Sequence, residues 1–302
     1  MRRPLPLTLA AALTLVPLAW HGPAAAEEAR QGKSTSAKPA AHAKAAVAHG
    51  KPAAARANKP EEAKAATAEQ QATLKALEAA AANDIQAQAK LAALIMSGKM
   101  GAPDPVRAAA LFRPAAESGN AAAQVGLGEL LHEGKGVARD PAAAAEWFRK
   151  AADQGSPQGL AALGHLYLAG SGVPADPAKA AQLMQSAADK GLPAASYNLG
   201  LMYLKGQGVP ADRDQAVRRL HDAAEAKYAP AQYVLGLLRV GGGESDRNPV
   251  DAVKWLSLAA THGDGTLRTS ALEKIRVISE SIGPDRTQEG LEAARVWLFS
   301  HS

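Results

Sequence analysis

The sequence of 302 residues contains no cysteine, and aromatic residues make up only 4% of it. Without thiols the chain has no disulfide framework, no thiolate zinc site and no cysteine nucleophile. The scarcity of aromatic residues, beside an alanine content of about a quarter, disfavours a β-sandwich and favours closely packed helices. The lack of cysteine leaves the redox compartment open, because a chain without thiols suits either environment.

Most of the chain also lacks an excess of basic residues, although the formal net charge of the whole sequence is +5. Residues 1–26 carry a charge of +2, residues 27–66 carry +4, and residues 67–302 carry −1. The body of the protein is therefore nearly neutral, and we expect no folded nucleic-acid-binding surface there.

The first 26 residues have the pattern of a secretory signal peptide. Arg2 and Arg3 form a positive start, Leu5 to Trp20 is largely apolar, and Ala24–Ala26 provides small residues for cleavage before Glu27. The apolar run of about 16 residues is shorter than the roughly 20 that span a bilayer. We expect a periplasmic or secreted protein without a transmembrane segment after cleavage. Retention of the segment as an uncleaved anchor is the alternative.

Residues 27–66 are rich in alanine, lysine and proline, and they contain one valine but no leucine, isoleucine, methionine or aromatic residue. Such a segment buries too little apolar surface to offset its conformational entropy, which predicts a disordered linker. It would act as a solubilising spacer or, because it is basic, as a contact to anionic lipid or cell-wall polymer.

From residue 85 onward the sequence repeats itself with a period of 36. Several columns keep this spacing without insertion or deletion. They are Gly128, Gly164, Gly200 and Gly236; Leu127, Leu163, Leu199 and Leu235; and the Ala-Ala pairs at 115–116, 151–152, 187–188, 223–224 and 259–260. A fixed period of this length is typical of a solenoid.

Each copy divides into two predicted helices, A and B. In the second copy helix A runs from about Ala122 to Glu133 and has one broad apolar face. Gly128 lies in its middle, at a cost of ~1 kcal/mol relative to alanine, which predicts that a neighbouring helix comes too close for a side chain. In four copies helix B begins at an Asp-Pro or Asn-Pro pair, typical of a capping side chain followed by proline at the first helical position, whereas Asp212-Arg213 keeps the cap and lacks the proline.

The fourth copy reads Tyr197-x-Leu199-Gly200-x-x-Tyr203-x-x-Gly206-x-Gly208-Val209-x-x-Asp212 and ends with Ala223-Ala224. This pattern resembles a Sel-1-like repeat, a relative of the tetratricopeptide repeat. The resemblance implies an all-α fold, an α/α superhelix in which antiparallel helix pairs form a right-handed solenoid. The predicted organisation is a capping half-repeat at 67–84, five repeats over 85–264 (85–120, 121–156, 157–192, 193–228 and 229–264), and capping helices at 265–302.

No catalytic pattern stands out in the sequence. It has no Gly-x-Ser-x-Gly, no Ser-x-x-Lys and no His-Glu-x-x-His. His132 and His165 fall on helices A of adjacent copies with Glu129 or Glu133 nearby, a possible metal site, but groove histidines are the favoured interpretation. Cysteine-rich relatives of the resembled family are linked to β-lactamase activity, and this chain lacks their disulfides. We therefore expect no enzyme, no cofactor and no metal.

In solenoids of this kind helix A lines the concave face, where variable positions choose the partner. The predicted contact residues are Gln124, Glu129, His132, His165, Asn198, Leu201, Gln232 and Leu237. These positions become apolar toward the last copies, which fits an extended or helical peptide. The favoured function is a periplasmic scaffold or regulatory adaptor that binds an envelope or sensor protein. Peptidoglycan or exopolysaccharide binding is the alternative, and a cell-wall or β-lactam hydrolase is the least favoured.

Overall fold

The computed structural model describes residues 68–99, 101–241 and 247–301. The predicted signal peptide and linker, residues 1–26 and 27–66, lie outside these ranges. Within them every regular element is an α-helix, and none of these helices is both long and apolar enough to cross a bilayer. The helices are α1 (Ala68–Ala81), α2 (Ile85–Met96), α3 (Pro105–Glu117), α4 (Ala121–Glu133), α5 (Pro141–Asp153), α6 (Pro157–Ala169), α7 (Pro177–Asp189), α8 (Pro193–Lys205), α9 (Arg213–Glu225), α10 (Ala229–Gly241), α11 (Pro249–His262), α12 (Gly265–Ile282) and α13 (Pro284–Ser300).

The five predicted copies correspond to five helix pairs, in which α2, α4, α6, α8 and α10 are the A helices. Each A helix packs against the B helix that follows it, and each B helix packs against the A helix of the next copy. The result is the expected all-α solenoid. Its core runs along the array because each helix of the five pairs, from α3 to α10, packs on the helix before it and on the helix after it.

Each B helix begins at a side chain that caps its first turn. The Asp140 carboxylate accepts a hydrogen bond from the backbone N–H of Ala143 at 2.9 Å, and the Asn248 side chain accepts one from Asp251 at 3.0 Å. Such a cap is worth about 1 kcal/mol. Proline follows the cap in four of the copies, whereas α9 begins with Arg213.

The loop after helix A contains two glycines with different roles. Gly134, Gly170 and Gly206 end their helices in the left-handed conformation, at φ values of 71°, 65° and 65°. The second glycine of each loop lies against the start of the preceding B helix. A Cβ atom at Gly172, for example, would overlap the carbonyl group of Pro141. The first glycine stops the helix, and the second lets the loop touch the previous copy.

The mid-helix glycines permit close contact between helices A and B of one copy. A Cβ atom at Gly128 would lie 2.5 Å from Cε1 of Phe148, and one at Gly200 would lie 2.9 Å from Cγ of Leu220 and 3.2 Å from the carbonyl oxygen of Ala216. The close approach predicted from the sequence is therefore confirmed.

The two C-terminal helices do not form a sixth pair of the same kind. Helix α13 packs broadly on α11 and only lightly on α12. It covers Trp255 and Leu258 of α11, which are buried, whereas the corresponding positions of the second copy, Trp147 and Lys150, are partly buried and exposed. Gly290 allows this contact, because a Cβ atom there would lie 2.7 Å from Cβ of Val253.

We predict that Gly200→Leu destabilises the array by at least about 1 kcal/mol, because overpacking costs about 1–3 kcal/mol and a backbone carbonyl blocks relief. Gly265→Leu is the matched control, since nothing lies within 4 Å of a Cβ atom at that position. Thermal unfolding followed by circular dichroism measures both variants. Equal melting temperatures for Gly200→Leu and the unaltered chain would contradict this packing scheme.

Candidate functional site

The structure buries five of the eight predicted contact residues. Gln124, Asn198, Leu201, Gln232 and Leu237 are each at most 5% exposed. They cannot present their side chains to a partner in this state, and the prediction that they lie on an open surface is wrong. Glu129, His132 and His165 are only partly buried, and their role as contact residues stays a prediction.

Gln124 and Gln232 occupy the same position of the repeat, three copies apart, and each joins two copies. The side-chain N–H of Gln232 donates to the carbonyl oxygen of Ala224 at 2.9 Å, and its oxygen lies 3.0 Å from Nδ1 of His262. Gln124 bonds to Ala116 and Gln154 in the same way. These amides are buried because they satisfy a carbonyl at the end of the preceding B helix.

Leu201 is buried by apolar packing. It belongs to a cluster drawn from α8, α9, α10, α11 and α13 that includes Val234, Leu238 and Trp297. The apolar trend toward the last copies, predicted to form a peptide groove, serves in part to join these copies to the C-terminal helix.

Four polar residues on consecutive A helices form what we call the A-face strip: Glu129 and His132 on α4, His165 on α6 and Asn198 on α8. The amide nitrogen Nδ2 of Asn198 lies 3.1 Å from Nε2 of His165, which connects the third and fourth copies. All four were predicted contact residues. Glu129 and His165 are equivalent positions, 36 residues apart, whereas His132 lies one helical turn after this column and Asn198 one turn before it.

Burial makes the strip electrostatically unusual. Loss of solvent raises the pKa of Glu129 to about 8, an effect that Glu133 strengthens and Lys135 opposes. Loss of solvent, together with the neighbouring His132, lowers the pKa of His165 to about 4. At neutral pH both Glu129 and His165 are therefore uncharged. A solvated glutamate is ionised at this pH, and a solvated histidine begins to gain a proton just below it.

Two polar atoms of the strip are buried without a hydrogen-bond partner, Nδ1 of His132 and Oδ1 of Asn198. Leaving a buried polar atom unpaired costs about 1–3 kcal/mol. Such atoms are rare in folded proteins. Asn198 is fully buried, so only His132, whose side chain is partly exposed, can receive the missing partner from a ligand. Among the residues placed by the structure, no three His, Asp or Glu side chains converge on a point where a metal ion could bind.

A second polar cluster, not predicted from the sequence, holds α13 against the array. Glu225 on α9 accepts a hydrogen bond from the Trp297 indole at 3.0 Å, and the same carboxylate oxygen lies 3.1 Å from Nε2 of His301. The His301 ring stacks on Trp297 with 4.2 Å between ring centres, and its carbonyl oxygen accepts from Lys227. Periodicity predicts only that Trp297 packs inward, because its partner Glu225 is 72 residues away in sequence.

The model of the Sel1 repeat family matches the chain five times, at residues 85–120, 121–156, 157–192, 193–227 and 229–264, which together span more than half of it. Two solved structures are similar at 28% sequence identity. One is a Sel1 repeat protein from Oxalobacter formigenes, with a TM-score of 0.59 over 73% of this chain and 88% of that one. The other is c5321, described as a protective antigen of uropathogenic Escherichia coli with an SLR fold, with a TM-score of 0.58 over 74% of this chain.

The chain spans about half of the Escherichia coli antigen, 48% of its length. No curated protein matches the chain. The similarity to the two solved structures supports the same helical solenoid.

We predict that Gln232→Leu destabilises the protein by about 1–3 kcal/mol, because the carbonyl oxygen of Ala224 and the ring of His262 lose a buried partner. Leucine is sterically acceptable in this column, since Leu160 occupies it in the third copy. Denaturant unfolding measures the change. A stability equal to that of the unaltered chain would show that the amide contributes no net energy.

The pKa of Glu129 also predicts a pH-dependent stability. Its pKa is about 8 in the folded chain and near 4.5 when solvated, so the folded state binds the proton more tightly. Its contribution is fully present below pH 4.5 and is lost as the pH rises through 8. We expect Glu129→Gln to raise the melting temperature more at pH 9 than at pH 5. An equal shift at both pH values would show that the carboxyl group titrates normally.

Proposed function

Since the chain belongs to the Sel1 repeat family, we propose that it is a protein-binding scaffold or adaptor of the bacterial envelope that takes its partner on the A-helix face. The family supplies a stacked helical surface, and proteins built from such repeats commonly act by binding. The signal-like start of the sequence supports a periplasmic or secreted location. We propose binding, and not catalysis, as the role of the chain.

The observation that carries this proposal is the A-face strip. It contains the partly exposed side chains of Glu129, His132 and His165 on consecutive copies, and Nδ1 of His132 is buried without a hydrogen-bond partner. An unpaired polar atom on a partly exposed side chain supports a binding role, because a ligand there adds a hydrogen bond that folding alone does not make.

The outer face of the B helices offers a contrast. Lys150, Ser186 and Asp222 are exposed in a column of the second, third and fourth copies. Where this column becomes apolar, at Leu258, the chain covers it with its own helix α13. The outer face of the earlier copies is thus an ordinary solvated surface, which leaves the A face as the better binding surface.

We test the proposal by placing a photo-crosslinking amino acid at Ala122 and at Gln158 in separate variants, expressed in the source cells. Both positions are exposed and lie seven residues before Glu129 and His165, on the same face of α4 and α6. We expect discrete adducts that a protease digests, because the proposed partner is a protein.

Ser186 and Asp222 on the outer face provide matched control positions for the crosslinker. Equal adducts from both faces would contradict the proposed surface. Adducts that resist protease and dissolve with a muramidase would indicate cell-wall polymer as the partner instead.

A further inference from the structure

The last helix of the array is held by a histidine whose two ring nitrogens both face acceptor atoms. Nε2 of His301 lies 3.1 Å from the carboxylate of Glu225 on α9, and Nδ1 lies 2.9 Å from the carbonyl oxygen of Trp297 on α13. A neutral imidazole carries a proton on one nitrogen only, whereas an imidazolium donates from both. Only the protonated ring therefore satisfies both contacts.

The Ser300 hydroxyl supplies no proton to the ring in this arrangement. Its oxygen also lies 2.9 Å from Nδ1 of His301, but the hydroxyl donates to the carbonyl oxygen of Trp297 at 2.9 Å. A hydroxyl group has one proton, so its oxygen is a further acceptor for Nδ1. A neutral ring would turn a lone pair either toward these oxygens or toward the Glu225 carboxylate.

Two further features favour the charged ring of His301. The ring stacks on the Trp297 indole, with 4.2 Å between ring centres and 12° between planes, and an aromatic face attracts a cation. His301 also follows the last turn of α13, where the carbonyl end of a helix carries partial negative charge. The indole and the helix end thus act in the same direction as Glu225.

Lys227 indicates that this attachment is built into the fourth copy. The equivalent positions of the other copies are all glycine, at Gly119, Gly155, Gly191 and Gly263. Lys227 has a φ of 62°, a left-handed conformation that costs energy for a residue with a side chain. Its ammonium group donates to the carbonyl oxygen of His301. The copy that carries Glu225 thus replaces the glycine of the repeat with a second contact to the end of α13.

We propose that His301 is a proton-dependent clasp, which fastens α13 to Glu225 when its ring is protonated and loosens α13 when the ring is neutral. The contribution of the clasp is present while the ring is protonated. It is lost as the pH rises through the range in which histidine releases its proton, about pH 5–8. Loosening uncovers Trp255 and Leu258 of α11, which pack against α13 in a buried cluster. The C-terminal cap is thus a pH-dependent closure of the array.

A second histidine faces the same carboxylate from α9 itself. Nε2 of His221 lies 3.6 Å from the other oxygen of Glu225, one helical turn away. Protonation of His221 adds an ion pair between two residues of α9, and this pair does not by itself fasten α13. The variant His221→Gln therefore separates the two histidines.

His262 on α11 acts in the opposite direction. Its ring packs edge-on against Trp297, with 5.8 Å between ring centres, and its Nδ1 lies 3.0 Å from the side-chain oxygen of Gln232. Burial, and to a smaller extent the charge of Lys227, lowers the pKa of His262. A proton on His262 at low pH would weaken the packing of Trp297, so the test stays at pH 6 and above.

Other charged groups on the helices around α13 have partners of their own. Lys254 lies over the Trp255 ring, Arg268 of α12 donates to the carbonyl oxygens of Ala260 and Gly263, and Arg295 of α13 pairs with Glu292.

Because the sequence has no cysteine, a single introduced thiol can report on α13. Ala294→Cys places the thiol in the buried cluster with Trp255 and Leu258, and Ser186→Cys at an exposed position corrects for the change of thiolate fraction with pH. The reaction of each thiol with a disulfide reagent is measured on the full chain at pH 6 and pH 8.5. We expect the protection of position 294 relative to position 186 to be about three- to tenfold greater at pH 6, as for a charged histidine at a helix end.

Two variants in the Ala294→Cys chain isolate the proton. His301→Phe keeps a ring against Trp297 but takes no proton, and Glu225→Gln keeps an oxygen acceptor for the indole without the charge. We expect both to abolish the difference between the two pH values, whereas His221→Gln retains it. Circular dichroism confirms that each variant is folded. Equal protection at both pH values before these changes, or a difference that persists in His301→Phe or disappears in His221→Gln, would overturn the clasp.

Melting temperatures give a second measure that needs no introduced thiol. We expect the gap between the unaltered chain and His301→Phe to be wider at pH 6 than at pH 8.5. A gap of the same size at both pH values would also overturn the clasp.

Lys227→Gly restores the glycine of the repeat and removes the left-handed strain. We expect it to lower the protection of position 294 at both pH values, by at least about twofold, because the end of α13 loses a charged hydrogen bond. Unchanged protection would overturn the assignment of Lys227 to the clasp.

Discussion

The whole array depends on how closely helix A lies against helix B. At Gly200 there is no room for a Cβ atom between the helix and the Leu220 side chain. The alanine pairs of the B helices are buried as well, and their small side chains allow helix A of the next copy to pack closely on the opposite side of helix B. Because these contacts are made by small residues, the helices approach each other without large interlocking side chains, and an aromatic content of only 4% is sufficient.

This constraint explains why the fold could be predicted from the sequence. Glycine in the middle of a helix is unfavourable unless a neighbour requires it, so a column of four such glycines reports a contact directly. The caps at Asp140 and Asn248 can also be predicted from the sequence, because capping depends only on a few adjacent residues. Signals of this type need no knowledge of distant parts of the chain.

The candidate site was predictable only in part, for a related reason. The sequence shows that Gln124 and Gln232 occupy the same position of the repeat. It does not show that each side-chain amide donates a hydrogen bond to a carbonyl oxygen of the preceding B helix. Polar side chains on a broad helix face look alike until their neighbours are known. Glu129, His132 and His165 are partly buried, and their role as contact residues stays a prediction. Glu225 was missed because its role depends on an indole 72 residues away.

The two ends of the array differ in how strongly the terminal helix is attached, because α13 is held by more contacts than α1. Trp297 and His301 tie the last helix to Glu225 in the fourth copy, while the tryptophan also packs on the fifth copy. The front helix α1 is attached by a small group of residues, chiefly Ala81, Ala87 and Leu91. Under tension, or during digestion by a protease, the protein will therefore peel from its amino-terminal side, and the last two copies with α13 will survive longest as one block.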